Sequence, residues 1–355
     1  MWEEQFRSVA LPLLRFGAFS AHAILFGFIP VLLFVLRPAF ERLSVEWDDG
    51  RRRLSERLQG VIGAALIGSV FTTLLILLLQ SALFSEIAGE EVGSDSFLSV
   101  LETSNGQWVA ARVPLAAALA VLLAGKVRVW ALPVSGQTSR PSLLWWGAWG
   151  LLSLALLGTA TMSGHSRVAS PQGLALANDL FHQATSATWF AGVVLLAAFL
   201  PDGWMGRGGT DRLELLSPTV TRFSKVAFAS IVLVAITGVV NSLLHVGAFN
   251  DLWDTGYGRT VGLKILLFFG ILALGGINHY FVRERLEAAR AEGKPSGAQG
   301  LFRRTIAAEL AIAIAVMGAT ALLVGLARTR PIGSGTDAVP SGNAYDLGAP
   351  EINRS

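Results

Sequence analysis

Apolar residues in this chain neither alternate nor form narrow stripes. They run in eight long blocks, near residues 12–36, 59–84, 109–132, 143–165, 173–200, 219–247, 260–282 and 303–327. Each block holds the roughly 20 residues that a helix needs to cross the hydrocarbon layer. Backbone polar groups in lipid must be satisfied within the segment, so the blocks predict helices. Short alternating segments of the kind that build a membrane barrel are absent from the sequence. The expected fold is all-α: a polytopic membrane helix bundle of about eight transmembrane helices, with the lipid bilayer as its first partner.

Polar positions give the bundle a direction. Nineteen of the 28 Lys and Arg fall in the connections after blocks one, three, five and seven. Positive charge favours the cytoplasmic side, which puts both termini outside. Glu86, Glu90, Glu91, Asp95 and Glu102 crowd the first outer connection and agree with this. The N-terminus carries Glu3 and Glu4 where a signal peptide would be basic, so the first block is expected to be a retained span. Residues 1–330 are expected to form one membrane domain. Residues 331–355, rich in Gly, Pro, Ser, Asp and Asn, are expected to be a disordered tail outside the membrane.

Spacing hints at an internal duplication. Thr103-x2-Gly106-x5-Arg112 leads into block three, and Thr255-x2-Gly258-x5-Lys264 leads into block seven. Arg57 precedes Thr72 by fifteen residues, as Arg222 precedes Thr237. Two parallel four-helix repeats, 9–165 and 173–328, account for this, with a cavity between them as a natural site. Recurrence of similar helix ends by chance is the alternative.

Composition limits the chemistry. Only 15% of residues are charged and 52% are hydrophobic, against about a quarter charged in a soluble domain. There is no cysteine, which excludes disulfides and thiolate metal sites. A net charge of +3, held in short clusters between blocks, marks topology and not a nucleic-acid surface. No nucleotide-binding loop is present, so any transport is expected to be passive or coupled to a gradient, and no enzymatic activity is expected.

Ionisable residues inside spans suggest function by default. Of five histidines, His22, His165, His182 and His245 lie toward the outer side, and His279 lies toward the cytoplasm. Met162 and His165 are three residues apart, as are Asp179 and His182, so each pair shares a helix face. Asp179 is placed to orient His182, a common device at metal sites. Imidazole with thioether suits copper. His165, His182, Met162 and His22 are therefore the candidate metal ligands, with Trp189 as a cavity wall beyond His182. Glu309 and His279 form a possible inner site. Each has a plainer reading: His165 and His245 as interfacial residues, His22 and Glu309 as interhelical contacts, Met162 as packing. Arg112 and Lys264 are expected to snorkel toward the outer surface.

Ser163-Gly164-His165, Asn178-Asp179-Leu180-Phe181-His182, Trp189-Phe190-Ala191-Gly192, Arg222-Phe223-Ser224, Thr237-Gly238, Thr255-Gly256-Tyr257-Gly258, Asn278 and Glu309 together resemble the copper-resistance D (CopD) family. That resemblance implies a bacterial or archaeal inner-membrane protein of eight helices, linked to copper uptake from the periplasm or to copper tolerance. It also implies a periplasmic copper carrier of the CopC type as a separate partner. Family members carry a histidine shortly after an arginine in the first span. Here Arg15 is followed by Phe16 and Gly17, and His22 comes later. The expected activity is binding of copper, as Cu(I) or Cu(II), at an outward-facing site, with passage inward between the helix bundles. The alternatives are a haem-binding electron carrier and a copper sensor or assembly protein that moves no metal.

Overall fold

The computed structural model describes residues 2–41, 48–89, 91–126, 143–164, 171–197, 210–245, 256–293 and 297–323. Eight of its helices are long and apolar enough to span a membrane, and the fold is an all-α polytopic bundle. Helix α1 (Trp2–Val31) continues through a π-helical turn (Leu32–Leu36) into α2 (Arg37–Phe40), making the first span. The π turn lies between Pro30 and Pro38, two residues that cannot donate to the helical ladder. Span two is α3 (Asp48–Ala88). A short helix, α4 (Ser94–Glu102), packs on α3 and is tied to it by a 3.0 Å hydrogen bond between the Ser81 and Ser96 hydroxyls.

Span three starts earlier than hydropathy predicts. The Thr103 Oγ1 accepts from the Gly106 N–H at 2.9 Å and caps α5 (Ser104–Ala110). A Cβ at position 106 would collide with the Val100 carbonyl oxygen, so the Thr-x-x-Gly motif there is a helix start pressed against α4. Pro114 removes a ladder donor where α5 passes into α6 (Arg112–Lys126). Spans four to six are α7 (Leu143–Met162), α8 (Gln172–Ala197) and α9 (Thr210–His245). Span seven is α10 (Gly256–Ile277), a second π turn (Asn278–Val282) and α11 (Arg283–Glu292); span eight is α12 (Ala298–Leu323). The second copy of the capping motif begins at Thr255, outside the described residues, as do His165 and the tail 331–355.

Successive spans run antiparallel. His22 meets Ser69 while Gly17 faces Thr72, and His182 meets Thr237 while Gly192 faces Phe223. Helix α1 is the hub, packed against α3, α7, α8 and α12. Its tightest crossing is with α8, where a Cβ on Gly27 would fall on the Ala187 carbonyl oxygen and the Ala191 methyl. Small residues permit such backbone approach, and packing and hydrogen bonds are the main forces joining helices in lipid. Trp149 reinforces the hub by donating from Nε1 to the Leu25 carbonyl at 3.0 Å, with its ring fully buried.

Gly27→Ala should lower stability by about 1–3 kcal/mol through overpacking at this crossing. Gly150→Ala, where an added Cβ meets nothing within 4 Å, should be neutral. Thermal unfolding of the two detergent-purified variants separates these outcomes.

Candidate site between spans four, five and six

The first half of α8 presents two polar faces. Asn178 and His182, four residues apart, face α9. The Asn178 Nδ2 donates to the Thr237 carbonyl at 3.0 Å and to the Asn241 Oδ1 at 2.8 Å. The His182 Nδ1 lies 2.8 Å from the Thr237 Oγ1. That hydroxyl already donates its hydrogen to the Leu233 carbonyl at 2.7 Å, so it can only accept from the ring. Nδ1 therefore carries the proton, and Nε2 keeps an open lone pair. Gly238 makes room for the ring: an added Cβ there would stand 3.6 Å from the His182 Cε1.

Asp179 and Gln183 turn instead toward α7. The Gln183 Nε2 donates to the Asp179 Oδ2 and to the Thr161 Oγ1, both at 2.8 Å. Thr161 is followed by Met162, the last residue of α7, so this bridge brings the end of span four beside the Asp179–His182 level of span five. Lys264 of α10 is near enough to act electrostatically on both Asp179 and His182. Its side chain is half-buried. Trp189 is 7% exposed and lies two turns deeper on the same helix, within the hydrophobic core.

Several expectations change. The residue holding His182 is Thr237; Asp179 is bound to Gln183. A side chain four residues along its own helix was the nearer partner, whereas the orienting hydroxyl came from a helix distant in sequence. His22 is fully buried on α1, bonded through Nε2 to the Ser69 Oγ at 3.1 Å, with Arg112 nearby. It lies on the face toward α3 and joins a different polar group from His182. Arg112 is only 4% exposed and does not snorkel, because Thr159 of α7 and Ser163 just beyond that helix each accept from it at 3.0 Å. At the other end of the bundle, Glu309 accepts from the Asn278 Nδ2 at 2.6 Å, while His279 bonds through Nδ1 to the Ser224 Oγ at 2.9 Å. The π turn sends these sequence neighbours to different helices, so the contact found for Glu309 is with Asn278 and not with His279. His245 is described only as the last residue of α9. Among the described residues no three His, Cys, Asp or Glu side chains gather to hold a metal ion.

Two family models match this chain. "Copper resistance protein D-like, N-terminal domain" covers residues 5–170, and "Copper resistance protein D" covers residues 217–323. The chain belongs to the copper resistance protein D family. It is 27% identical to Copper resistance protein D of Pseudomonas syringae pv. tomato over 310 residues, 87% of this chain and 94% of that one. It is 28% identical to Copper transport protein CutJ of Bacillus subtilis (strain 168) over 287 residues, 79% of this chain. That alignment takes in 48% of the Bacillus protein, so this chain spans about half of it. No solved structure matches.

Selective ¹⁵N-imidazole labelling should show His182 as the Nδ1-protonated tautomer. Thr237→Val, which keeps the shape and removes the acceptor, should release the ring to a mixture of tautomers. An unchanged spectrum in Thr237→Val would reject the assigned hydrogen bond.

Proposed function

We propose that this family member binds copper at its outer side and passes it inward across the cell inner membrane of a bacterium or archaeon. The observation that carries the proposal is the His182 ring held through Nδ1 by Thr237, which leaves the lone pair on Nε2 for a metal, one helical turn along α8 from Asp179. His165 is the proposed second ligand, and Met162, at the end of the neighbouring span, the third. The bridge from Gln183 to Thr161 supports this grouping, because it draws span four to the level of His182. Asp179 offsets the charge of an arriving cation, with Gln183 fixing one of its oxygens. Lys264 competes for the same carboxylate and keeps binding weak enough for release.

His22 is not retained as a copper ligand, since Arg112 and not a carboxylate stands beside it. Glu309 and Asn278 are the proposed inner station, where an ion would meet carboxylate and amide oxygens before leaving. Both termini are proposed to lie outside. A duplicated architecture is supported by matching neighbours: span one packs on two and four as span five packs on six and eight, and one touches eight as five touches four. A CopC-like carrier delivering copper at the outer face is the proposed partner.

Purified protein should bind copper, and His182→Ala and His165→Ala should each reduce the copper bound per chain. Proteoliposomes should take up copper, with Cu(I) and Cu(II) offered separately to decide the species. Unchanged stoichiometry in both variants overturns the site. Binding without uptake overturns transport and leaves a sensor or assembly role.

A further inference from the structure

Spans one, two and three enclose a second polar group. His22 and Arg15 of α1 are seven residues apart and share a face; Ser69, Thr73 and Gln80 of α3 share another. The hydrogen bond between His22 and Ser69 sets these faces against each other. Arg112 enters from α6, close enough to interact with the charges of both His22 and Arg15. Ser69, Thr73 and His22 are completely buried.

Two features of this group stand out against its surroundings. Among the described residues Arg112 donates only to the neutral hydroxyls of Thr159 and Ser163, and no carboxylate joins it. A buried guanidinium held only by hydroxyls is costly in a medium of low dielectric. In addition, among the described residues the His22 Nδ1 and the Thr73 Oγ1 are buried with no hydrogen-bond partner. Unpaired polar atoms at this depth each cost free energy, so a ligand that satisfied several at once would be held firmly. Both can donate: the hydroxyl directly, and the imidazole from Nδ1 when Nε2 accepts from Ser69. Unpaired donors in the same group as a cation that no described carboxylate balances point to a ligand of negative charge.

From this geometry we infer that spans one, two and three hold a binding site for a small inorganic anion of halide or nitrate size, formed by Arg112, His22 and Thr73. Copper is the wrong charge for it. The site is separate from the one beside Asp179, and the two would bind ions of opposite sign. The complete burial of His22, Ser69 and Thr73 favours a small ligand over a bulky one.

The test is thermal unfolding of the full chain in detergent, followed by its own tryptophans. Sodium chloride, bromide and nitrate are titrated against sodium gluconate, too large for the site, at constant ionic strength. The expected result is a saturable rise in Tm with the small anions and none with gluconate. Arg112→Gln should raise the half-saturating concentration at least about tenfold, as the loss of a charged hydrogen-bonding partner implies. Arg112→Lys should retain most of the response. If Arg112→Gln does not fold, Thr73→Val probes the same site and should weaken the response several-fold. Equal curves in every salt would mean that water satisfies these atoms, and would overturn the proposal. So would a response unchanged in Thr73→Val and in whichever Arg112 variants fold. A Tm that rises with added phosphatidylglycerol but not with chloride would assign the charge to a lipid headgroup, and equally overturn a small-anion site.

Discussion

The crossing of α1 and α8 at Gly27 is the constraint on which the rest of the bundle rests. No hydrophobic force distinguishes protein from lipid tails, so the helices stay together through close packing and hydrogen bonds. With a hydrogen atom at position 27, the backbone of α1 reaches that of α8. Around this contact α1 gathers neighbours on several sides, touching α3, α7 and α12 as well, while α8 touches α7, α9 and α12. The central position of α1 makes it the common wall of the two polar groups. His22 looks away from α8 toward α3, and His182 looks away from α1 toward α9.

Each polar group is solved by a hydroxyl from the next span. Ser69 meets His22, and Thr237 meets His182. What differs is the charge added from spans three and five. Beside His182 there is a carboxylate, Asp179, opposed by Lys264; beside His22 there is Arg112 with Arg15. The surroundings of an imidazole, more than the imidazole itself, decide whether a cation is welcome. That distinction separates two histidines that hydropathy alone makes alike.

Much of the fold is written in the sequence, because a bilayer demands uninterrupted apolar runs and the chain supplies eight of them. The clustering of histidines, the depth of Asp179 and the family pattern were also visible. The contacts that define the candidate site were not. Thr237 stood out through its distance from Arg222 and its place in the family pattern, but nothing local marks it as the partner of a residue 55 positions earlier. Arg112 looked like a snorkelling residue because it lies near a helix start, yet hydroxyls one span away hold it inside. Pairings across helices depend on which faces meet, and the crossing angles that decide this are set by packing and not by periodicity. The capping role of Thr103 was legible in kind, as a threonine three residues before a glycine, but its repeat masked the simpler explanation.

The π turn at Asn278–Val282 has a consequence for how span seven transmits force. Its hydrogen bond from the Arg283 N–H back to Asn278 takes one more residue than an α-helical turn, so the helix below is rotated against the helix above. Above the turn, α10 faces span eight, and Asn278 grips Glu309 there. Below it, α11 belongs to span six, where Thr221 donates to Glu287. One continuous span thus answers to two different neighbours along its length. A change of charge at Glu309 would be felt first in the turn and then in the first half of span six, because the turn is where the two allegiances are joined.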